Sequence, residues 1–265
     1  MTNQAISDAF VSARLSARAL PGFPGDLPGS LSEAYAVQAL SVAAWPDEVA
    51  GWKVGGIPPA NAEKYGADRL AGPIFKRSVR RVNGAPVSMP AFEGGFAAVE
   101  SEYVLVTGDA VEPGAVAADA LAARNIVARV HIGVEIASSP LRTINELGPA
   151  SIISDFGNNA GIILGEEIED WRDRDLSEIE VETLIDGDTV GTARAGPDAP
   201  FEAVAFLIGH FARAGRVLPA GTYVSTGAIT GVHDAQVGAV ATARFEGVGR
   251  IDLRLDPAQA AGSSG

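Results

Sequence analysis

The sequence of 265 residues contains no cysteine and only three histidines. The absence of cysteine excludes disulfide bonds, thiolate metal sites and a cysteine nucleophile. It does not identify a compartment, because a chain without cysteine is compatible with any redox environment. The histidines do not accompany a serine or cysteine pattern of the kind found in nucleophilic enzymes, so no Ser/His/Asp triad is predicted. Glycine-rich stretches such as Gly94-Gly95 do not match phosphate-loop or dinucleotide fingerprints, and no nucleotide site is predicted.

Long apolar runs are also missing. No stretch approaches the roughly 20 residues that a bilayer-spanning helix needs, and Asp8, Arg14 and Arg18 interrupt the first 20 residues. We therefore expect neither a signal peptide nor a membrane anchor, and a cytoplasmic protein. The formal net charge of -13 argues against nucleic acid and anionic membranes as partners. An anionic substrate would need a local positive centre, either a metal ion or a basic side chain.

Glycine and proline are abundant instead, with Gly 31 and Pro 16, and 47% of the residues are hydrophobic. This composition predicts a turn-rich fold with many strands and a substantial core rather than a helical bundle. The texture of the sequence changes near residue 70. We therefore divide the chain into an N-terminal helical segment, residues 1–70, a β-rich main domain, residues 71–257, and a flexible tail, residues 258–265.

The periodicity of apolar residues predicts individual elements. Helices are expected at residues 2–20, at 30–44, where Ser30-Leu31-Ser32-Glu33 matches a capping box, and at 200–214. Asp186-Gly187 predicts a tight hairpin between two strands. The predicted strands are 99–106, 130–137, 160–164, 178–185, 189–194, 222–226, 239–245 and 248–255.

Three glutamates in apolar, strand-like runs are the main candidates for chemistry. Glu100 and Glu102 are two residues apart on one predicted strand, so they share a face at a separation of roughly 7 Å. Glu135 lies within a second apolar run, where a lone carboxylate needs a partner. Carboxylates held together among apolar residues repel one another and resist desolvation, and a divalent cation such as Mg²⁺ would relieve both costs.

The same spacing occurs elsewhere, at Glu180 and Glu182, where alternation with apolar residues predicts an ordinary solvated strand face. Spacing alone is therefore a weak signal. Lys53 is the next candidate, since it lies in the apolar, glycine-rich run of residues 51–56. It could anchor a substrate carboxylate or act as a base with a depressed pKa. The alternative is a lysine that extends to solvent from a strand end.

Several motifs together resemble the 2-keto-4-pentenoate hydratase and 4-oxalocrotonate decarboxylase branch of the fumarylacetoacetate hydrolase superfamily. They follow the order of that family and cover nearly the whole chain, although none is specific on its own. The motifs are residues 30–38, 51–56, 99–102, 133–136, 154–155 with 157–165, 218–221 and 225–227. The resemblance implies an α+β fold, in which an N-terminal helical segment precedes a mixed β-sheet roll with a metal at its open end.

The resemblance also implies a set of site residues. Mg²⁺ or Mn²⁺ would be held by three carboxylates, which fall on Glu100, Glu102 and Glu135, and Lys53 falls on the active-site lysine of the family. This lysine would hold the substrate carboxylate or move protons near C3. The further candidates are Asp155, which would position water or a proton carrier, and three residues that would contact substrate: Asn158, Asn159 and Thr226.

The resemblance implies a hydratase that adds water to a 2-hydroxy-2,4-dienoate to give a 4-hydroxy-2-oxo acid, as in aromatic catabolism. The alternatives are a 2-oxo acid decarboxylase of the 4-oxalocrotonate type, a tautomerase, a C–C hydrolase of the same superfamily, and a non-catalytic partner subunit. The expected partners are a small anionic substrate and further copies of the chain in a homo-oligomer; a complex with a pathway enzyme is a further possibility of the family. The chain departs from the hydratase pattern at two places. It has Ala228 after Thr226 and Gly227, where hydratases commonly have serine, and its loop at residues 155–161 also differs. Both places fall where substrate recognition is expected.

Overall fold

The computed structural model of the protein describes residues 2–261. The helices are α1 Asn3–Leu15, α2 Leu31–Ala44, α3 Pro59–Tyr65, α4 Ala120–Ile126, α5 Ile144–Leu147, α6 Pro149–Ser154 and α7 Ala199–Arg213. The strands are β1 Val49–Gly56, β2 Arg69–Phe75, β3 Val79–Arg81, β4 Val87–Ala91, β5 Phe96–Thr107, β6 Val127–Ser139, β7 Asn159–Glu167, β8 Val181–Ile185, β9 Asp188–Ala193, β10 Tyr223–Ser225, β11 His233–Asp234, β12 Val240–Phe245 and β13 Gly249–Pro257.

Local sequence signals explain the ends of several elements. The Ser30 side chain accepts a hydrogen bond from the Glu33 backbone at the start of α2, and the Glu33 carboxylate accepts one from the backbone of Gly29. This satisfies backbone donors that a helix N-terminus leaves free, and it confirms the predicted helix start. Asp186 and Gly187 have φ values of 52° and 92° between β8 and β9. Two successive positive φ angles are typical of a type I′ hairpin, which confirms the predicted turn.

The larger of two sheets in the described residues has eight strands and is mixed. Its order is β2-β1-β10-β5-β6-β7-β3, with β11 paired to β5 beside this path. The pairs β1 with β10 and β3 with β7 are parallel, whereas β5, β6 and β7 form an antiparallel centre. The expected α+β fold, with helices preceding a mixed sheet, is confirmed. The predicted N-terminal helical segment, residues 1–70, also contains strand β1 and the start of strand β2.

The smaller sheet has the order β4-β13-β12-β8-β9 and covers one face of the larger one. Successive side chains of β5 point to opposite faces. Tyr103 faces the smaller sheet, where its ring lies 5.9 Å from that of Phe245, and the Ser101 hydroxyl lies 2.6 Å from that of Thr183. The main apolar core fills the space between the sheets and beneath α7.

The other face of the larger sheet curls upon itself. Ile74 of β2, Val104 of β5 and Ile162 of β7 belong to one buried cluster, although β2 and β7 lie near opposite ends of the sheet. Beside this cluster, Gly72 of β2 meets the chain at Gly157, where a Cβ on Gly72 would lie 2.6 Å from the Gly157 Cα. Only glycine fits such an approach. The helices α1, α2 and α6 close this side of the molecule.

Residues near both ends of the described part of the chain adjoin this region. The backbone of Ala261 donates to the Leu15 carbonyl at the end of α1, and that of Ala258 donates to Ala91. The rest of the predicted flexible tail, residues 262–265, lies outside the described residues. Across residues 2–261, none of the helices has both the length and the apolar character needed to traverse a bilayer.

Candidate metal centre

The three predicted glutamates converge on the curled face of the larger sheet. Glu100 of β5 is paired directly with Glu135 of β6, and Glu102 follows two residues later on the same face of β5. One carboxylate oxygen from each of the three lies within 4.8 Å of the others. Glu102 and Glu135 are fully buried, and Glu100 is 6% exposed. Gly133 is paired with Glu102 on the neighbouring strand. A larger residue would not fit there, because a Cβ on Gly133 would lie 2.5 Å from the Val104 side chain.

The second pair with the same spacing behaves as the sequence predicts. Glu180 is exposed and Glu182 is half-buried. Glu180 pairs with Arg194 at 3.4 Å, and Glu182 pairs with Arg244 at 2.9 Å. A hydrogen bond from Thr189 lowers the pKa of Glu182, so this carboxylate is satisfied without a metal. Burial and the third carboxylate distinguish the two sites.

Burial and mutual repulsion set the electrostatics of the three-carboxylate cluster. Burial raises the pKa of Glu100 to about 7; the Lys53 charge opposes this rise and the Glu135 charge adds to it. The pKa of Glu102 is raised well above its ordinary value, first by burial and then by Glu135 and Glu100. Ionised carboxylates at this position are therefore unfavourable without an additional positive charge.

The donor set fits a hard divalent cation. Among residues 2–261, Glu102 Oε1 is buried without a hydrogen-bond partner, and the buried Glu135 Oε2 has only the Lys53 ammonium, 3.3 Å away. Buried carboxylate oxygens without partners are rare in folded proteins. An ion such as Mg²⁺ or Mn²⁺ takes oxygen ligands of this type. Glu100, Glu102 and Glu135 are the residues that would hold it.

Lys53 lies beside the cluster on β1. Its Nζ is 3.3 Å from Glu135 Oε2, outside hydrogen-bond geometry, and the side chain is buried. Burial lowers the pKa of Lys53, but the charges of Glu135, Glu100 and Glu102 outweigh burial, and the pKa is raised above its ordinary value. The lysine is therefore a buried cation that does not extend to solvent. The wall beside it is glycine, since a Cβ on Gly55 would lie 3.4 Å from the ammonium nitrogen.

Two polar side chains fix individual carboxylate oxygens. The Ser225 hydroxyl of β10 donates to Glu102 Oε2. The Asn159 amide, at the start of β7, donates to Glu135 Oε1 at 2.8 Å. Asn159 thus lies against a proposed metal ligand. Its predicted contact with substrate stays a prediction.

Asp155 lies in a different setting from the one its predicted role suggests. Its Oδ1 accepts from Arg14 Nε at 2.5 Å, and its Oδ2 accepts from Arg14 at 2.9 Å and from Ser139 at 2.5 Å. Both carboxylate oxygens are committed to buried partners. The role of Asp155 in positioning water or a proton carrier stays a prediction, with Arg14 as its partner.

The remaining predicted residues border the same region. The Asn158 amide nitrogen donates to the side-chain oxygen of Asn145 at 3.4 Å. The Asn158 side-chain oxygen, Oδ1, is buried and has no hydrogen-bond partner among residues 2–261. The Thr226 hydroxyl donates to the carbonyl of Tyr103 at 2.9 Å, which leaves its lone pairs for another donor. Their roles toward substrate stay predictions.

Sequence reasoning missed Arg14 and Ser225. Arg14 is only 8% exposed, on the face of α1 that also carries the buried Phe10 and Val11. An arginine four residues after a core phenylalanine was the available signal, because residues i and i+4 share a helix face. Ser225 belongs to the motif at residues 225–227, but its hydrogen bond to Glu102 joins residues that are 123 positions apart in the chain.

No family model matches the sequence, but known proteins resemble the chain in sequence and in structure. A curated 4-oxalocrotonate decarboxylase from Pseudomonas putida is 29% identical over 160 residues, which are 59% of this chain and 59% of that protein. The chain thus matches about three-fifths of the length of this relative.

Solved structures resemble the chain over more of its length. The 4-oxalocrotonate decarboxylase from Pseudomonas putida G7, complexed with magnesium and adipate, has a TM-score of 0.80 at 21% identity, covering 96% of this chain and 97% of that one. A second structure of that enzyme, with calcium and acetate, has a TM-score of 0.79 at 22% identity, covering 96% of both chains. Fumarylpyruvate hydrolase from Pseudomonas aeruginosa, with Mn²⁺ and pyruvate, has a TM-score of 0.55 at 16% identity, covering 78% of this chain and 88% of that one.

These comparisons confirm the resemblance that the sequence motifs indicated. They also show that the chain has the fold of the fumarylacetoacetate hydrolase superfamily. The neighbouring structures contain Mg²⁺, Ca²⁺ or Mn²⁺. The described residues of this chain contain a buried trio of carboxylates able to hold such an ion.

Proposed function

We propose that this chain is an enzyme that uses a divalent metal ion, Mg²⁺ or Mn²⁺, to act on an unsaturated 2-oxo acid. The observation that carries the proposal is the meeting of Glu100, Glu102 and Glu135 beside the buried ammonium of Lys53. The likeness to 4-oxalocrotonate decarboxylase, in sequence and in fold, supports it. A 2-oxo acid also has two adjacent oxygens suited to a hard cation.

The balance of charge explains why such a site would need a metal. Three carboxylates face one ammonium, so the ionised cluster alone would repel an anionic substrate. A divalent cation, when bound, would neutralise the remaining negative charge and withdraw electrons from the C2 keto group of a bound 2-oxo acid. The chain as a whole is also acidic, with a net charge of -13, so attraction of substrate must be local.

Lys53 is placed to bind substrate as a cation. Burial lowers its pKa, but the charges of the neighbouring glutamates raise it above the ordinary value, so the lysine keeps its proton in the metal-free site. Its donors are available to a substrate carboxylate, because within residues 2–261 only Glu135 lies within ion-pair distance of the ammonium. The glycine wall at Gly55 leaves space beside the nitrogen. This geometry favours the anchoring role that was predicted for Lys53 over the role of a base.

Two reactions fit the site, and each has its own support. The likeness to 4-oxalocrotonate decarboxylase favours loss of CO₂ from a 2-oxo-3-enedioic acid. In that reaction the bond between C5 and the leaving carboxylate carbon C6 breaks, its electron pair moves through the C3–C4 double bond to the C2 oxygen, and a proton taken up by this oxygen yields a 2-hydroxy-2,4-dienoate. The sequence motifs shared with the hydratase branch favour addition of water to such a dienoate through its 2-oxo tautomer. Both reactions need negative charge to be stabilised at the 2-oxo group.

Product analysis tests the proposal. The purified chain would be incubated with a 2-hydroxy-2,4-dienoate and, separately, with a 2-oxo-3-enedioic acid, in the presence of Mg²⁺ or of EDTA. Decarboxylation releases CO₂, whereas hydration gives a 4-hydroxy-2-oxo acid, and ultraviolet absorbance follows either conjugated substrate. We expect turnover that depends on the metal with at least one of the two. The same screen separates tautomerase and C–C hydrolase activity by their products.

Absence of turnover with every substrate in the screen, by a chain shown to bind Mg²⁺, would support the remaining alternative of a non-catalytic partner subunit. Turnover that EDTA leaves unchanged would contradict the metal assignment. The expected assembly into a homo-oligomer is a separate proposal, which the mass of the protein in solution tests.

A further inference from the structure

The contact that the start of β7 makes to the cluster orients one of the carboxylates. The Asn159 amide donates to Glu135 Oε1 at 2.8 Å, and both side chains are buried. The other oxygen of Glu135 lies on the side of Lys53. An amide that donates to one oxygen fixes the rotation of the carboxylate, and thereby determines where the free oxygen points.

The turn that leads to Asn159 has an unfavourable backbone. Phe156, Gly157 and Asn158 have φ values of 54°, 66° and 65°, three successive residues in the left-handed region. Glycine adopts this conformation readily and asparagine less so, whereas a bulky residue such as Phe156 incurs of order 1–3 kcal/mol. Such a turn persists only where neighbouring groups hold it.

Arg14 of α1 is the group that contacts this turn at both ends. Its guanidinium donates to both carboxylate oxygens of Asp155, just before the turn, and to the carbonyl of Asn159 at 3.0 Å, just after it. It also donates to the Ser138 carbonyl at the end of β6. Its carbon Cζ lies 5.2 Å from the centre of the Phe156 ring. One buried arginine thus connects the N-terminal helix, the end of β6 and the start of β7.

We infer that Arg14 and Asn159 are positioning residues for the metal centre. Arg14 holds the left-handed turn, the turn directs the Asn159 amide at Glu135, and the amide orients the carboxylate for the ion. The inference rests on the proposed metal site, and it adds residues that would contact neither the ion nor the reacting atoms. Loss of such outer partners typically lowers metal affinity 10–100-fold.

The test measures Mg²⁺ affinity by isothermal titration calorimetry, without substrate. Asn159→Leu keeps the approximate volume of the side chain and removes its donor, and Arg14→Lys keeps the charge but loses the paired hydrogen bonds to Asp155. We expect Asn159→Leu to weaken Mg²⁺ binding about 10–100-fold and Arg14→Lys to weaken it by a smaller factor. Because Arg14 acts through Asn159, the double variant should bind Mg²⁺ no more weakly than Asn159→Leu alone.

A matched control separates orientation from general loosening. Thr183→Val is nearly isosteric and removes two hydrogen bonds, a buried one to Ser101 on the opposite face of β5 and a partly buried one to Thr230. We expect this variant to melt at a lower temperature and to bind Mg²⁺ with unchanged affinity.

Each outcome bears on a separate claim. Unchanged Mg²⁺ affinity in folded Asn159→Leu would overturn the inference while leaving the proposed function intact. Losses that add in the double variant would overturn the claim that Arg14 acts through Asn159. Weakened binding in Asn159→Leu, together with a wild-type chain that turns over none of the 2-oxo acids, would support the inference and contradict the proposed function. A wild-type chain that binds neither Mg²⁺ nor Mn²⁺ would overturn both.

Discussion

Glu100 and Glu135 occupy directly paired positions on β5 and β6, so their carboxylates leave the same face of the sheet and meet in a buried space. Like charges placed opposite each other on neighbouring strands destabilise a sheet. The arrangement also raises the pKa of Glu100 to about 7, through burial and the charge of Glu135 against the opposing effect of Lys53. A bound cation would offset the repulsion between the two carboxylates, and this is the simplest explanation for such a buried pair.

Glu102 is a fully buried candidate for a metal ligand. Glu102→Gln should weaken Mg²⁺ binding more than about 100-fold, beyond the loss typical of outer partners, because it removes a charged oxygen ligand. Calorimetry with Mg²⁺ and turnover of the best substrate measure the effect. The matched control is Glu182→Gln, in the solvated pair of the same spacing, which should behave as wild type. Equal Mg²⁺ affinity in the two variants would rule out Glu102 as a ligand.

Lys53 is the proposed anchor for a substrate carboxylate. Lys53→Met keeps the apolar stem and removes the cation, so binding of oxalate, a mimic of a 2-oxo acid, should weaken about tenfold or more in the presence of Mg²⁺. The metal-free variant should also unfold more easily, because removing one partner of a buried ion pair typically costs 3–5 kcal/mol. Inhibition by oxalate and urea denaturation measure the two effects. An unchanged oxalate inhibition constant would argue against anchoring by Lys53.

The third prediction concerns pH. The pKa of Glu100 rises from its ordinary 4.5 to about 7 on folding, so the metal-free folded state binds more protons than the unfolded state across that range. The stabilisation is complete below about pH 4.5 and is lost as the pH rises through about 7. This one group corresponds to a loss on the order of 3 kcal/mol in the free energy of unfolding.

Metal should reverse this trend, because the ion binds the ionised carboxylates and competes with protons. The rise in melting temperature on adding Mg²⁺ should therefore be larger at pH 8 than at pH 5.5, as thermal unfolding followed by circular dichroism can measure. In Glu102→Gln the difference between the two pH values should shrink. A larger shift at the lower pH would contradict the assignment.

The fourth prediction concerns the close approach that shapes the site. A Cβ on Gly72 would overlap the carbonyl of Phe156 and lie 2.6 Å from the Gly157 Cα, both backbone atoms of the left-handed turn. Gly72→Ala should lower the free energy of unfolding by about 1–3 kcal/mol or more and weaken Mg²⁺ binding by displacing the turn. Gly56→Ala is the control, because a Cβ there meets nothing within 4 Å, and its effect should stay within about 0.5 kcal/mol. Equal stability of the two variants would show that the turn tolerates displacement.

Much of the fold was accessible from the sequence, because strand alternation and turn chemistry are local properties. The predicted strands 99–106 and 130–137 correspond to β5 and β6, and the shared face of Glu100 and Glu102 follows from alternation alone. The list of predicted strands does not include β1 to β4 or the two-residue β11, and the short helices α3 to α6 were not predicted either. Their stability comes from tertiary packing that a local pattern does not contain.

The partners of the carboxylates were less accessible. Arg14 and Asp155 are 141 positions apart in sequence, and Ser225 and Glu102 are 123 apart. No periodicity reports that such residues meet, since their contact depends on how the sheet curls and where α1 packs. A buried arginine on an apolar helix face indicates that a partner exists, but it does not identify the partner.

The pairing of β5 with β6 leaves little freedom for error during folding. If β6 slipped by one residue, Val134 or Ile136 would turn toward Glu100, and Glu135 would point into the apolar layer between the two sheets. An isolated charge in that layer would be severely penalised. The proposed metal ligands therefore also select the correct alignment of the central strands, so that a chain able to hold the ion is one that has already folded in register.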